Sequence, residues 1–358
     1  MNRATHHIEQ QLSAEQMGFR RHRGCPDAIF TLRQLAEHNI EYKNLHLAFV
    51  NLEKAFDRVD KDTLWQTLHQ YGVSEHLIQL CKSPNRDCTS VIRTKQGTSM
   101  PINIFSGVRQ GCVLSPLLFI TYRDSICRAA NYLEENTNKI NELMFVDDQV
   151  LVAENEAELQ HHLHSMNQES LTKNMKMYPD KTEVMTVGRS ETANNLTVNN
   201  KEIKQVSEFK YLGTTFTSDG RIDKEIDIRC NKANQVLGQI SPILQHAAVP
   251  LSTKKLIIQS IFIPTFSYQC QTWMFTSIHK RKITTAEMRC LRRAAGATLR
   301  DRQRNENIRK RLGIEPVLQY IERQQLKWFG HLQRMPENAP PLKAYNTPAN
   351  VYKARGRP

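Results

Sequence analysis

The sequence predicts an α+β body followed by an all-helical region. Up to about residue 220, short apolar runs of strand length are mixed with segments of helical period. From about Asp223 onward the chain reads almost wholly helical, with breaks near Pro250, Pro264, Gly313–Pro316 and Pro336–Pro341. Charge sets the end apart. Residues 280–358 carry 19 Lys/Arg and 6 Asp/Glu, whereas residues 1–279 carry 30 of each, so the whole excess of +13 lies in the last 79 residues. A neutral body with a basic tail fits a nucleic-acid partner held through its phosphates; a solvated basic surface is the plainer alternative.

The elements follow in order. Leu45–Leu52 reads as a buried strand that runs into Glu53-Lys54-Ala55-Phe56-Asp57, and a helix spans about Lys61 to Tyr71, with Asp57 as a cap. Val91–Arg93 and Ile102–Phe105 read as strands. Ser115-Pro116 opens a helix to about Tyr132, with Ser115 as N-cap and Pro116 in the first turn. The apolar run Leu143–Val152 is interrupted by Asp147-Asp148, which predicts two short strands joined by that pair. A two-residue turn prefers Asn-Gly or Asp-Gly, because it needs positive φ. Two adjacent carboxylates there suggest a hard divalent cation with oxygen ligands, although a lone pair of this kind is more often a solvated turn. Leu159, Leu163 and Met166 mark an amphipathic helix, which Asn174 ends in a left-handed cap. Thr182–Val187 and Phe209–Phe216 are further strands.

Composition excludes several classes. Eight cysteines without a Cys-x-x-Cys pair fit reduced intracellular thiols, not a disulfide framework or zinc module. The longest apolar runs, near Val113–Ile120 and Leu256–Phe266, are too short or interrupted to span a bilayer, and the first residues lack the apolar core of a secretory signal. His161, His162 and His164 lie on the amphipathic helix, where they are expected to be exposed. Lys280-Arg281-Lys282 and Arg309-Lys310-Arg311 are import signals or phosphate contacts; sequence does not separate the two.

The segment Ser106–Phe119 places Gly107, Arg109, Gln110 and Gly111 just ahead of a helix. Glycines let backbone approach a flat or charged ligand, and Arg and Gln offer planar donors. With Phe145-Val146-Asp147-Asp148, this segment resembles the reverse transcriptase of a non-LTR (LINE-type) retrotransposon. Gln16-Met17-Gly18-Phe19-Arg20 resembles that family's fingers motif, and Lys54–Val59 the end of its first catalytic motif. Pro179–Thr182 and Phe209–Gly213 resemble its later palm motifs, and Glu287–Arg293 and Trp328–His331 the region beyond the palm.

The resemblance implies a right-hand polymerase. Partial fingers would span 1–44, a palm with an antiparallel sheet backed by helices 45–220, thumb helices 221–279, and a basic helical C-terminal region 280–358. It implies RNA-directed DNA polymerisation by two-metal nucleotidyl transfer. Two Mg²⁺ ions are expected, with Mn²⁺ as a substitute, and Asp147 and Asp148 as their ligands. RNA template, DNA primer and deoxynucleoside triphosphates would be the partners, in a nuclear or cytoplasmic ribonucleoprotein away from membranes. Phe56 would exclude a ribose 2′-hydroxyl. Gly107, Arg109, Gln110, Gly111, Arg20 and Lys181 would hold nucleotide or template, and Tyr211, Leu212 and Gly213 would form the primer grip.

The sequence also departs from the family. Asn51 stands where the family places its other metal-binding Asp, and Glu53 is one pleat, about 7 Å, too far to replace it. Tyr178 and Asn174 replace the family's usual Asn and Gly. The match begins partway through the fingers and includes no endonuclease. Impaired catalysis is therefore expected; the alternatives are a nucleic-acid-binding protein without catalysis, or an element relic. The ending Arg355-Gly356-Arg357-Pro358 resembles an AT-hook core, though tail sequence cut short explains it more simply.

Overall fold

Strand β1 (Leu45–Val50) is buried along its whole length, as its near-continuous apolar run requires. It is the middle strand of the main sheet in the computed structural model, which describes residues 2–39, 44–86, 88–130, 139–188 and 195–347. Two exposed ribbons follow it in the chain, β2 (Thr89–Ser90) with β5 (Ile102–Asn103) and β3 (Arg93–Thr94) with β4 (Gly97–Thr98). The expected strands Val91–Arg93 and Ile102–Phe105 are thereby corrected to two-residue pieces. Their apolar side chains face solvent, so no core contact extends them.

The sheet continues with β6 (Glu142–Phe145), β7 (Asp148–Ala153) and β8 (Glu183–Val187). A small ribbon, β9 (Thr197–Val198) with β10 (Lys201–Glu202), precedes β11 (Lys204–Gln205). The strand order is β11-β8-β1-β7-β6, antiparallel except for β11 beside β8. Helices cover both faces. α5 (Ser115–Ala129) and α6 (Glu156–Thr172) set Phe119, Tyr122, Leu163 and Met166 into one core with Ala48, Val50 and Leu151. α2 (Cys25–Asn39) packs against β1 and β6. α1 (Asn2–Gln11), α3 (Lys61–Gln70) and α4 (Glu75–Lys82) complete this part.

Helix ends show where local chemistry was legible. Asn174 takes φ +54 after α6, the left-handed stop its residue type suggested. The cap of α3 is Asp60, whose Oδ1 accepts from Thr63 N at 2.8 Å, and not Asp57. Ser115 is already the first residue of α5; its hydroxyl donates to Arg109 O at 2.6 Å instead of capping the helix. His162 is buried, which corrects its expected exposure, and desolvation lowers its pKa; His161 and His164 are exposed. Tyr132 and the 355–358 ending lie outside the described residues.

The expected strand Phe209–Phe216 is two strands, β12 (Glu208–Tyr211) and β13 (Thr214–Thr217), separated at Leu212-Gly213, where both residues have positive φ. The chain divides there into two compact units, Met1–Leu212 with Glu337–Pro358, and Gly213–Pro336. The second is helical: α7 (Asp223–Gln245), α8 (Leu251–Ile257), a π-helical turn (Ile258–Phe262), α9 (Ile263–Phe266), α10 (Ser277–Ala295), α11 (Asn305–Leu312) and α12 (Val317–Leu332). Its core gathers Ile226, Leu237, Phe262, Leu291 and Ile321. Gly296 and Gly313 end α10 and α11 in left-handed caps. The fully buried Glu287 ties three helices together, accepting from Arg309 Nη2 at 2.6 Å and Val317 N at 2.9 Å. α10 runs unbroken through residue 280, where charge alone suggested a division. The last helix, α13 (Pro340–Asn346), returns to the first unit and packs on α2.

Candidate active site

Phe145 pairs with Asp148 across β6 and β7, so the connecting turn is Val146-Asp147. This corrects the expected turn by one residue: Asp147 sits in it, and Asp148 begins β7. Val146 takes φ +65, a conformation that costs a β-branched residue about 1–3 kcal/mol. Sequence could not show what sustains it. Gln16, fully buried, accepts through Oε1 from Gly18 N at 2.9 Å and Val146 N at 3.2 Å. Met17 N donates to Met144 O at 2.8 Å, and Met144 N to Glu15 O at 3.0 Å. A Cβ on Gly18 would stand 2.5 Å from Val146 Cγ2.

Asn51 directly follows β1, the strand beside β7. Val50 pairs with Gln149, and continuing that register by one step would set Asn51 across from Asp148. Its backbone is fixed on both sides, with N donating to Thr182 Oγ1 at 3.3 Å and O accepting from Tyr178 N at 2.9 Å. Glu53 is engaged elsewhere, its Oε2 accepting from Arg58 Nη2 at 2.9 Å.

Asp147 and Asp148 both keep exposed surface. Partial desolvation, and then the Asp147 charge, raise the pKa of Asp148. Tyr211 is buried beside them: burial raises its phenol first, then the charge of Asp148, then Cys25. A cation at the turn would relieve the repulsion that lifts Asp148. Two carboxylates and an amide oxygen suit a hard divalent ion. Among the described residues, no group of three or more His, Cys, Asp or Glu side chains could hold a metal.

The other expected site residues divide. Phe56 stacks on Phe119, with ring centres 4.1 Å apart and planes at 11°. Gly107 takes φ +88, and a Cβ there would meet Asp57 Cα and O at 3.0 Å; Gly107 N donates to Val59 O and Val108 N to Phe56 O. The glycine loop and the Phe56 turn thus form one packed body. Arg109, Gln110 and Gly111 stand exposed beyond it, with Gly111 at φ +84. Lys181 Nζ lies 5.2 Å from the centre of the Tyr178 ring, in a cleft of about 540 Å³ that also takes in Asn51, Lys54, Lys176 and Lys201.

Arg20 is placed otherwise. Its guanidinium donates to Ser13 O, Gln16 O and Glu9 O, closing the segment after α1. Tyr211 and Leu212 belong to the first unit and Gly213 to the second. Phe209 stacks on Phe49 at 3.7 Å, which seats β12 against β1. Behind the turn runs a buried chain that sequence did not reveal: Arg123 Nη2 donates to Gln149 Oε1 at 2.9 Å, and Gln149 Nε2 to Glu142 Oε2 at 2.8 Å. Its only sequence signal was polar residues inside otherwise apolar elements.

A largely antiparallel sheet with helices on both faces, bearing paired carboxylates at the turn beside its middle strand, defines the palm of a nucleic-acid polymerase. Residues 1–216 match the reverse transcriptase (RNA-dependent DNA polymerase) family, and the chain belongs to it. It is 29% identical over 249 residues to the retrovirus-related Pol polyprotein from type-1 retrotransposable element R2 of Nasonia vitripennis, covering 63% of this chain and 24% of that protein. To the corresponding polyprotein of the type-2 element R2DM of Drosophila melanogaster it is 27% identical over 266 residues, covering 70% and 24%. These relatives make it a reverse transcriptase of the non-LTR retrotransposon type. The chain spans about a quarter of their length. An apo telomerase structure from Candida tropicalis, truncated from its C-terminal domain, superposes with TM-score 0.46 at 16% identity, over 61% of this chain and 42% of that one. No helix among the described residues is long and apolar enough to cross a membrane.

Proposed function

We propose that this chain is the RNA-directed DNA polymerase domain of a non-LTR retrotransposon, impaired at its metal site. The β1–β7 register, which continued one step past Val50–Gln149 would set the uncharged Asn51 across from Asp148, supports the impairment. Asp147 and Asp148 would hold Mg²⁺ or Mn²⁺, with the Asn51 amide oxygen as a neutral third donor. When bound, the two metal ions of such a site stabilise the charge that develops in nucleotidyl transfer. The chain's own residues position the partners. Gly107, Arg109, Gln110 and Gly111 present backbone and planar donors to template and incoming deoxynucleotide. Phe56, backed by Phe119, limits the space beside the sugar. Lys181 offers a charge to the triphosphate, and Tyr211, Leu212 and Gly213 support the primer end. Arg20, already committed to three carbonyls, is left out of this set.

Primer extension on an RNA template, with Mg²⁺ and with Mn²⁺, tests the proposal on the unaltered chain, Asn51→Asp and Asp147→Asn. Asn51→Asp should extend at least about tenfold faster than the unaltered chain, since even second-shell losses at metal sites cost about 10–100-fold. Asp147→Asn should abolish extension. Robust extension by the unaltered chain, with no gain in Asn51→Asp, would overturn the impairment. Extension by none of them favours the second reading, a nucleic-acid-binding protein without catalysis.

A further inference from the structure

We infer that Gln16 is a positioning residue for the carboxylate turn: its Oε1, with the missing Cβ of Gly18, holds the backbone that presents Asp147 and Asp148. The consequence for metal binding rests on the proposed function; the mechanical role stands on geometry alone.

Val146 has positive φ and Asp147 does not, a pattern in which the first turn position is normally given to glycine. A valine there has no local reason to stay. Its N–H is also enclosed, because Val146 is only 8% exposed, and a buried donor needs an acceptor. In an edge hairpin that acceptor must come from outside, and β6 is the edge strand. The chain supplies it with a second strand-like segment. Gln16 bridges to Met144 in parallel, and the backbones of Glu15 and Met17 bond the two sides of Met144. The same register brings Gln16 Oε1 to Val146 N at 3.2 Å and lets Gly18 lie flat against the Val146 side chain.

The chemistry of the side chain supports this role. Gln16 is 0% exposed, and its Nε2 has no hydrogen-bond partner among the described residues. An orphaned buried donor is costly, and a Met or Leu of similar size would avoid it. A side chain selected only to fill the core would be apolar. The feature that distinguishes Gln16 is its acceptor oxygen, which takes two backbone N–H groups within one motif, Gln16-Met17-Gly18.

Hydrogen–deuterium exchange of the full chain, resolved by mass spectrometry at residues 142–150, tests the inference. Gln16→Met keeps length and removes the acceptor, so exchange there should rise about tenfold while α10 and α12 stay unchanged. Gln16→Glu restores an acceptor oxygen and should restore protection. Mn²⁺ affinity should fall about 10–100-fold in Gln16→Met and recover in Gln16→Glu. Unchanged exchange at the turn in folded Gln16→Met would overturn the inference, as would an equal rise across β1 and β8. Should Gln16→Met fail to fold, Gln16→Glu decides: fast exchange at its turn overturns the inference, and native protection upholds it. A loosened turn with unaltered Mn²⁺ affinity upholds Gln16 and sinks the metal assignment instead.

Discussion

Val50 pairs with Gln149 at the end of the β1–β7 ladder, and the next step of that register would set Asn51 across from Asp148. An amide there is neutral, so the Asp148 carboxylate has no like charge opposite it. Asn51→Asp creates that repulsion in metal-free protein. Like charges directly opposite in a sheet cost on the order of 0.2–1 kcal/mol. Urea denaturation in EDTA should show Asn51→Asp less stable than the unaltered chain by this amount. Added Mg²⁺ should close the gap. A gap that ignores Mg²⁺ would mean the three side chains do not share a cation.

Gly107 has no room for a side chain: φ is +88 and a Cβ would meet Asp57 backbone at 3.0 Å. Gly107→Ala should therefore destabilise the first unit by about 1–3 kcal/mol, since both strain and contact oppose it. Chemical denaturation followed by Trp65 fluorescence measures this. An unchanged midpoint would show that the loop shifts freely away from the Phe56 turn.

Glu287 anchors Arg309 and the start of α12 from a fully buried position. Removing one partner of a buried pair leaves the other charge stranded, at a cost of about 3–5 kcal/mol. Glu287→Ala should lower the melting of the helical unit accordingly. A charge-free double variant, Glu287→Ala with Arg309→Met, should recover part of the loss. Additive losses would argue against the coupling.

Asp223 accepts from the buried His279 at 2.9 Å, and that hydrogen bond, first among the causes, lowers its pKa. A carboxylate whose pKa is lower folded than unfolded stabilises the fold above its unfolded value, about 3.9. The contribution is lost as pH falls through the lower folded value. Asp223→Asn should thus be less stable than the unaltered chain at pH 7, and the difference should vanish in strong acid. Asp223 is largely exposed, so the effect is small. Thermal melts of both chains from pH 7 to pH 2 check it; a difference that grows in acid would reverse the sign.

Much of this site is written locally. The apolar run of β1, the strands either side of the carboxylates and the Asn174 stop follow from residue type and period. What sequence misplaced depends on contacts that only the folded chain makes. Asp147-Asp148 looked like the turn because valine is a poor turn residue; Gln16 and Gly18, 130 and 128 positions earlier, make Val146 the turn instead. Arg20 resembled a phosphate ligand, but only the folded chain shows the three carbonyls it serves. His162 turned inward because α6 lies between the sheet and solvent, and the polar stripe did not show which His would face the core. The return of α13 to α2 had no local signal, since Pro340, Pro341 and Leu342 are buried by a partner some 300 residues away.

Divalent-cation affinity of Asn51→Asp against the unaltered chain bears most directly on the site. Calorimetric titration with Mn²⁺ in the absence of nucleic acid measures it. An impaired carboxylate pair predicts at least about tenfold tighter binding in Asn51→Asp, abolished in both chains by Asp147→Asn. Equal affinities, or binding that survives Asp147→Asn, would contradict a metal site built on Asp147, Asp148 and position 51.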